Sequence, residues 1–318
     1  MKILDKLFRI YDDGIRVVVS ILGLKFKFKS EYLEYKRVME ANLKKLSKLL
    51  NYVSAPSELP KATGKIREKQ LKELSLLKEI KKVCTENGIS YWLDCGTFLG
   101  AVRHNGFIPW DADADVSVLR EDYEKLIPLL KEHFKNTEIK VRESYTCRNK
   151  NINYQLCLCN EGAKEYGVDI FPVDKYYLNN LTDDEKQVAT DNIVKCWHIV
   201  QKTCRANKDY TLDVDKARLY FKRATSEYIL GNRQPAAEKP ALFWGIDLLM
   251  PCSRYRIFEY DNIFPLQEIC FDGEIFSCPN NPDNNYLKGY FGNNFMKYPS
   301  KFKLEADQVE EYIDNLTI

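Results

Sequence analysis

The run Trp110-Asp111-Ala112-Asp113-Ala114-Asp115-Val116 sets three carboxylates at alternate positions between apolar flanks, Phe107-Ile108-Pro109 before it and Val118-Leu119 after it. In an extended segment alternate side chains share one face, so the pattern predicts a strand carrying three acids side by side. Like charges at that spacing repel, and a fold that keeps them together calls for a cation among them. All-oxygen ligands select a hard ion, Mg2+ or Mn2+. A solvated acidic turn is the other reading of these residues, and the apolar flanks favour a site walled by core. Just upstream, Asp94-Cys95-Gly96-Thr97 joins a predicted strand, residues 89–93, to a predicted helix, residues 96–103. There a glycine admits a ligand close to the backbone, and the free N–H groups of a helix start can bind an anion. A phosphate fits that turn, so turn and acids together read as a nucleotidyltransferase-like site in which metal and helix terminus grip a diphosphate.

Composition limits the alternatives. The 318 residues, 45% hydrophobic and 30% charged, suit an ordinary globular protein of one elaborated or two average domains. A formal charge of +2 provides no broad basic field, so nucleic acid is not an expected partner. The ten cysteines are scattered. Cys157 and Cys159 lack zinc-site spacing, and Cys196, His198 and Cys204 lack a fourth partner, so buried thiols in a reducing compartment are expected. The first apolar stretch is interrupted by Asp5, Asp12 and Asp13 and does not read as a signal peptide.

Residues 1–30 hold seven basic side chains against three acidic, an excess of four positive charges that leaves the remainder at −2. Ile3, Leu4, Leu7, Phe8, Ile10 and Tyr11 fall near helical spacing, the apolar run 17–24 is too short to span a bilayer, and residues 25–29 alternate lysine with phenylalanine as a strand would. Residues 1–53 are thus expected to be an amphipathic, membrane-associated segment followed by a helix over 31–53, peripheral to the cytoplasmic face of a membrane. Docking of the same stripe on protein is the alternative. A linker is expected over 54–65 and a helix over 66–87 with Leu71, Leu74, Leu77, Ile80 and Val83 on one face. The catalytic core is placed at 66–178, with a helix over 121–134 and strands over 138–141, 153–158 and 168–171. A mostly helical and irregular second lobe over 179–318 opens at the capping box Thr182-Asp183-Asp184-Glu185 and ends in a helix over 305–316. The expected fold class is α/β of the α+β kind, a mixed-sheet core with a mostly helical second lobe.

The run Gly96-Thr-Phe-Leu-Gly-Ala-Val-Arg-His-Asn-Gly-Phe-Ile-Pro-Trp-Asp-Ala-Asp-Ala-Asp-Val116 closely resembles the signature of the LicD/fukutin-type phosphotransferase family. Gln70 with its leucine-rich helix, Arg120-Glu-Asp-Tyr123, Val168-Asp-Ile-Phe-Pro172, Phe264-Pro-Leu266 and Tyr286-Leu-x-x-Tyr-Phe-Gly-x-x-Phe-Met296 with Pro299 are similar to the same family, so the likeness extends over residues 66–300. Ala112 and Ala114 depart from the family pattern, which often has aspartate and a larger aliphatic there. The resemblance implies a nucleotidyltransferase-like fold and transfer of a phospho-alcohol (phosphocholine, ribitol phosphate or glycerol phosphate type) from its CDP derivative to a sugar hydroxyl of a lipid-linked cell-surface glycan, with release of CMP.

By that resemblance Asp113 and Asp115 bind the divalent ion on the donor diphosphate, Asp111 completes or orients its shell, and Asp169 is a further metal ligand or the base for the acceptor hydroxyl. Gly96 and Thr97 hold donor phosphate, with Arg103 and His104 as further phosphate contacts. For Arg103 the alternative is a structural salt bridge to Asp111 or a neighbour, and for His104 a helix cap. Tyr290, Phe291 and Phe295 line a nucleobase or acceptor slot or belong to the core. Two rival functions share these residues: a nucleotidyltransferase that releases pyrophosphate, and a non-catalytic scaffold.

Overall fold

The computed structural model describes residues 8–12, 16–21, 24–29, 55–148, 151–160, 166–176, 182–206, 240–245, 257–297 and 312. The chain divides into two units, residues 1–58 with 298–318, and residues 59–297. In the first, strands β1 (Phe8–Asp12), β2 (Arg16–Ile21) and β3 (Leu24–Lys29) form an antiparallel sheet in that order. This corrects the helical stripe expected up to Tyr11. Phe8, Ile10, Tyr11 and Val17 to Val19 are aromatic or β-branched, types that suit a pleated surface, and the backbone pairing of β1 with β2 overrides a short helical periodicity. β3 is the alternating strand that its lysines and phenylalanines predict. The helix expected over 31–53 and nearly all of that over 305–316 lie outside the described residues.

The second unit is built on a six-stranded mixed sheet of β4 (Tyr91–Leu93), β5 (Ala114–Leu119), β6 (Ile139–Arg148), β7 (Asn151–Asn160), β8 (Gly167–Tyr176) and β9 (Ala241–Trp244). The order is β4-β5-β8-β7-β6, with β9 on β8. β5 and β8 run parallel and the other pairs antiparallel. β8 is the hub: β5 takes one edge, while β7 pairs with its first half and β9 with its second. Ala114, Val116 and Val118 of β5 and Val168 and Ile170 of β8 are fully buried at alternate positions, so one face of these paired strands packs into the core, while Asp115, Asp169 and Phe171 on the other face are half-buried. Helices α1 (Gly64–Glu86), α2 (Cys95–His104), α3 (Arg120–Phe134), α4 (Asp183–Ala206) and α5 (Asn285–Phe291) and a hairpin of β10 (Gln267–Phe271) and β11 (Glu274–Cys278) complete the described elements, so the unit is an α+β fold.

Three features differ from the sequence-based expectation. The stretch expected as a linker packs from residue 59 onward, because Leu59 and Ala62 are apolar and become buried. The region expected as a second lobe supplies β9 to the core sheet, since Ala241 to Trp244 form a fully buried apolar strand; its helix α4 does begin at the capping box, with the Glu185 N–H donating to the Thr182 hydroxyl at 3.3 Å. In α1 the buried face is Ile66, Gln70, Glu73, Leu76, Leu77, Ile80, Val83 and Cys84, whereas Leu71 is 48% exposed. Leu77, Ile80 and Val83 of the expected stripe are buried, and Gln70, which bonds the Asp111 carbonyl, and Glu73 turn inward beside them.

The β10–β11 hairpin is tied to this frame through Asp272 at its tip, whose side chain is wholly buried. Arg67 of α1 donates to both its carboxylate oxygens at 3.0 and 2.9 Å, and Lys61 donates at 2.6 Å. The carboxylate also lies where a Cβ on Gly106 would stand, so only glycine admits it there. Burial pushes the Asp272 carboxyl up, but Arg67 and Lys61 outweigh burial and hold it below the usual carboxylate range. A depressed carboxyl stabilises the fold above its unfolded value near ~3.9, and that contribution disappears as pH falls through the lower folded value. Asp272→Asn should therefore cost about 2 kcal/mol in urea unfolding at pH 7, with the gap between variant and wild type closing below about pH 4.

Candidate functional site

β4 ends at Leu93, and Asp94 turns the chain into α2. Cys95 takes a left-handed backbone conformation (φ 50°), unusual for a side-chain-bearing residue and held here by its surroundings. Asp94, fully buried, accepts from the Cys95 N–H at 2.7 Å, the Tyr286 hydroxyl at 2.6 Å, the Trp244 indole at 3.0 Å and the Ser117 hydroxyl. Burial pushes its carboxyl up against the pull of those four donors. The Asp94 side chain thus joins β4, α2, β5, β9 and α5.

The acid run does not form one strand. β5 starts at Ala114, so Asp115 lies in the strand while Asp111 and Asp113 lie in the segment leading to it, which corrects the three-acid strand face. The preceding chain turns at Pro109-Trp110, where the Asp111 N–H donates to the Ile108 carbonyl at 2.8 Å. Gln70 holds this turn from α1, donating to the Asp111 carbonyl at 2.7 Å while Arg67 donates to its amide oxygen at 3.1 Å. Asp113 is exposed, and Asp111, Asp115 and Asp169 are half-buried.

Tertiary structure nonetheless gathers the four carboxylates. Asp115 and Asp169 are paired in register on the parallel strands β5 and β8. The Asp111 carboxylate lies against Gly96, where a Cβ would stand 3.0 Å from Oδ2. Desolvation, then repulsion from Asp113, pushes Asp111 up to about 8, with Lys69 and Arg103 pulling the other way. Desolvation also raises Asp115 well above the usual range, reinforced by Asp113, Asp169, Asp111 and Asp94. On the far side of β8, Cys157 is register partner and hydrogen-bond partner of Asp169, and burial keeps its thiol protonated.

The residues expected to grip phosphate are placed as follows. Gly96 is at the start of α2 against Asp111. The Thr97 hydroxyl accepts from the Asp115 N–H at 2.8 Å, tying α2 to β5. Arg103, buried, donates to the Phe295 carbonyl at 2.9 Å and to His104 Nε2 at 3.0 Å, while its charge reaches Asp111. His104 is neutral, pushed down to about 3 by burial and then by Arg103, and stands edge-on to Trp110. Tyr290 lies at the turn, its hydroxyl 3.5 Å from Cys95 Sγ and its ring edge-on to Trp244; Phe291 is exposed and Phe295 buried.

Two residues of the neighbourhood escaped the sequence reading. Glu73 of α1 is wholly buried, with its carboxyl pushed up to about 8 by desolvation first, lowered by Lys69, and raised by Asp113 and Asp111. Lys69 lies 3.8 Å from it and is the cation that both Glu73 and Asp111 feel. The signal was polarity at the buried positions of an amphipathic helix, visible once the face is known.

Oxygen donors that repel one another, with a buried carboxylate oxygen of Glu73 lacking any hydrogen-bond partner, have the chemistry of a hard divalent cation site. Among the described residues no three ligating side chains are already close enough to hold an ion, so binding would require them to close on it. The described cysteines 84, 95, 157, 159, 270 and 278 are free thiols.

Residues 88–200 match the family model described as LicD/FKTN/FKRP, nucleotidyltransferase domain. An uncharacterized protein of Rickettsia typhi is 40% identical over 128 residues, 36% of this chain and 41% of that protein. The lipopolysaccharide cholinephosphotransferase LicD of Haemophilus influenzae is 45% identical over 62 residues, 20% of this chain and 23% of its own. Human ribitol 5-phosphate transferase FKRP is 51% identical over 35 residues, 11% of this chain and 7% of its own. The matched segments thus span less than half of each of these relatives.

Replacing Asp94 by Asn tests the anchor beneath the site. The amide keeps one acceptor but turns an NH2 toward donors, so Asp94→Asn should lose about 3 kcal/mol in urea unfolding.

Proposed function

We propose, from the match of residues 88–200 to the LicD/FKTN/FKRP nucleotidyltransferase-domain model, that this chain transfers a phospho-alcohol from its CDP derivative to a sugar hydroxyl of a cell-surface glycan. The observation that carries the reading is the gathering of Asp111, Asp113, Asp115 and Asp169 beside the Gly96 turn, against electrostatic repulsion. Such a charge cluster is costly to a fold that makes no use of it. The names of the relatives point the same way, one a cholinephosphotransferase and one a ribitol 5-phosphate transferase.

In this reading the acceptor oxygen attacks the phosphorus that bears the alcohol. The new P–O bond forms as the bridging P–O bond breaks, and CMP leaves with that electron pair. Asp111, Asp113 and Asp115 would hold Mg2+ or Mn2+ on the diphosphate, and the ion supplies charge neutralisation at the leaving group. Asp169, beside Asp115 on the neighbouring strand, takes the hydroxyl proton or shares in holding the ion. Thr97 fixes the backbone of Asp115, Gln70 fixes that of Asp111, and the Arg103 charge offsets part of the acid cluster.

Incubation with CDP-choline, CDP-ribitol and CDP-glycerol, Mg2+ and glycan acceptors should release CMP with one donor. Asp113→Ala and Asp115→Ala should each lower the rate at least about a hundredfold. Release of pyrophosphate from a nucleoside triphosphate would assign nucleotidyl transfer instead, and no product with any donor would return the chain to a binding role.

The acceptor is proposed to be lipid-linked and the protein peripheral to the cytoplasmic face of a membrane, met through residues 1–30. Among the described residues no helix is long and apolar enough to cross a membrane. Lysine alternates with phenylalanine along β3 (Lys25, Phe26, Lys27, Phe28, Lys29), and Arg9 and Arg16 belong to β1 and β2 of the same sheet. Basic residues in this number are complementary to anionic lipid, at about 1 kcal/mol for each Lys or Arg near the surface. Wild-type protein should float with phosphatidylserine-containing liposomes and not with phosphatidylcholine alone. Joint replacement of Lys25, Lys27 and Lys29 by Glu should abolish flotation, and equal recovery of both proteins would remove the membrane contact.

A further inference from the structure

Helix α1 buries two polar side chains on its inner face, Gln70 and Glu73. Gln70 is accounted for by its bonds to Arg67 and to the Asp111 carbonyl. Glu73 is not. Its Oε1 lies 3.5 Å from the Gly167 N–H and 3.8 Å from Lys69, while Oε2 is shut off from water and has no hydrogen-bond partner. A buried carboxylate oxygen left without a partner is among the costlier features a core can hold. The Lys69 pair is an ordinary one-turn helix pair, worth a few tenths of a kcal/mol, and it leaves Oε2 unused.

The position of Glu73 supplies the missing reason. Gly167 opens β8 two residues before Asp169, and the next residue, Val168, is the register partner of Ala114, which follows Asp113. Glu73 therefore stands at the start of the two parallel strands that carry Asp115 and Asp169, and it interacts electrostatically with Asp113 and Asp111 in the segment leading to β5. We infer that Glu73 is a fifth carboxylate of this cluster, whose unpartnered Oε2 becomes a ligand when the side chains of Asp111 and Asp113 close with it on a divalent cation. This rests on the cation reading under Proposed function and adds to it a ligand from a helix outside the acid run.

The two roles open to Glu73 predict opposite signs. As a structural group bonded to Lys69 and Gly167, its loss would weaken the fold and leave cation binding alone. As a ligand it is unfavourable until the ion arrives, so its neutral isostere should strengthen the ion-free fold and weaken binding. The test is calorimetric titration of the full chain with Mn2+, together with thermal unfolding in EDTA, for wild type, Glu73→Gln, Glu73→Asp and Lys69→Met. Glu73→Gln should raise Tm in EDTA by about 3 °C and weaken Mn2+ binding at least about tenfold. Glu73→Asp, which keeps the charge but withdraws the oxygen, should weaken binding without the gain in Tm. Lys69→Met should leave Mn2+ affinity equal to or tighter than wild type. A Glu73→Gln protein that binds Mn2+ within twofold of wild type, or that unfolds earlier in EDTA or fails to fold, overturns the inference. A wild-type chain that binds no Mn2+ brings down the cation reading itself, whereas equal binding by wild type and Glu73→Gln removes Glu73 alone.

Discussion

Four hydrogen bonds converging on one buried carboxylate organise this molecule. Asp94 holds a backbone N–H of α2, a hydroxyl of β5, an indole of β9 and a phenol of α5. These donors come from positions as distant in sequence as Ser117, Trp244 and Tyr286. A charge so enclosed is unstable unless its donors arrive together, so the core and the distant carboxy-terminal elements must assemble cooperatively. The same node sets the turn at Cys95 and thereby the position of Gly96, against which the Asp111 carboxylate rests.

Around that node the fold spends much of its polar bonding on keeping acids close. Asp272 fixes Arg67, Arg67 fixes Gln70, and Gln70 fixes the Asp111 carbonyl, a relay from the β10–β11 hairpin through α1 to the acid segment. Thr97 does the same for Asp115 from the opposite side. The backbone at Asp111 and Asp115 is therefore fixed from two sides by side chains of α1 and α2. Lys69 and Arg103 supply part of the balancing charge from within the chain.

Much of the site could be read in advance because its acids are adjacent in sequence and flanked by apolar strands, and local periodicity is what a sequence records best. β5, α2, α3 and β8 appear where hydrophobic pattern, turn and cap place them. The errors have a common cause. At Phe8–Asp12 a short run fitted helical spacing, but pairing with β2 decides its state. In α1 the stripe placed Leu77, Ile80 and Val83 inside, but it also placed Leu71 there, which is exposed, and gave no sign that Gln70 and Glu73 are buried. For Arg103 the sequence left phosphate contact and a structural pairing open, and its bonds to carbonyls almost two hundred residues away are of a kind that no local pattern records.

The sequence alone determined that an acidic segment follows a Gly-Thr turn between strands in a mixed fold, because alternation, capping and turn preferences act over a few residues. Tertiary structure decided which acids face one another, through the parallel register that sets Asp115 beside Asp169. It also decided that Glu73, on a helix forty residues upstream, is buried within electrostatic reach of Asp111 and Asp113, and that Asp94 is an anchor. Long-range pairing and desolvation depend on how separate segments pack, and no local pattern encodes them.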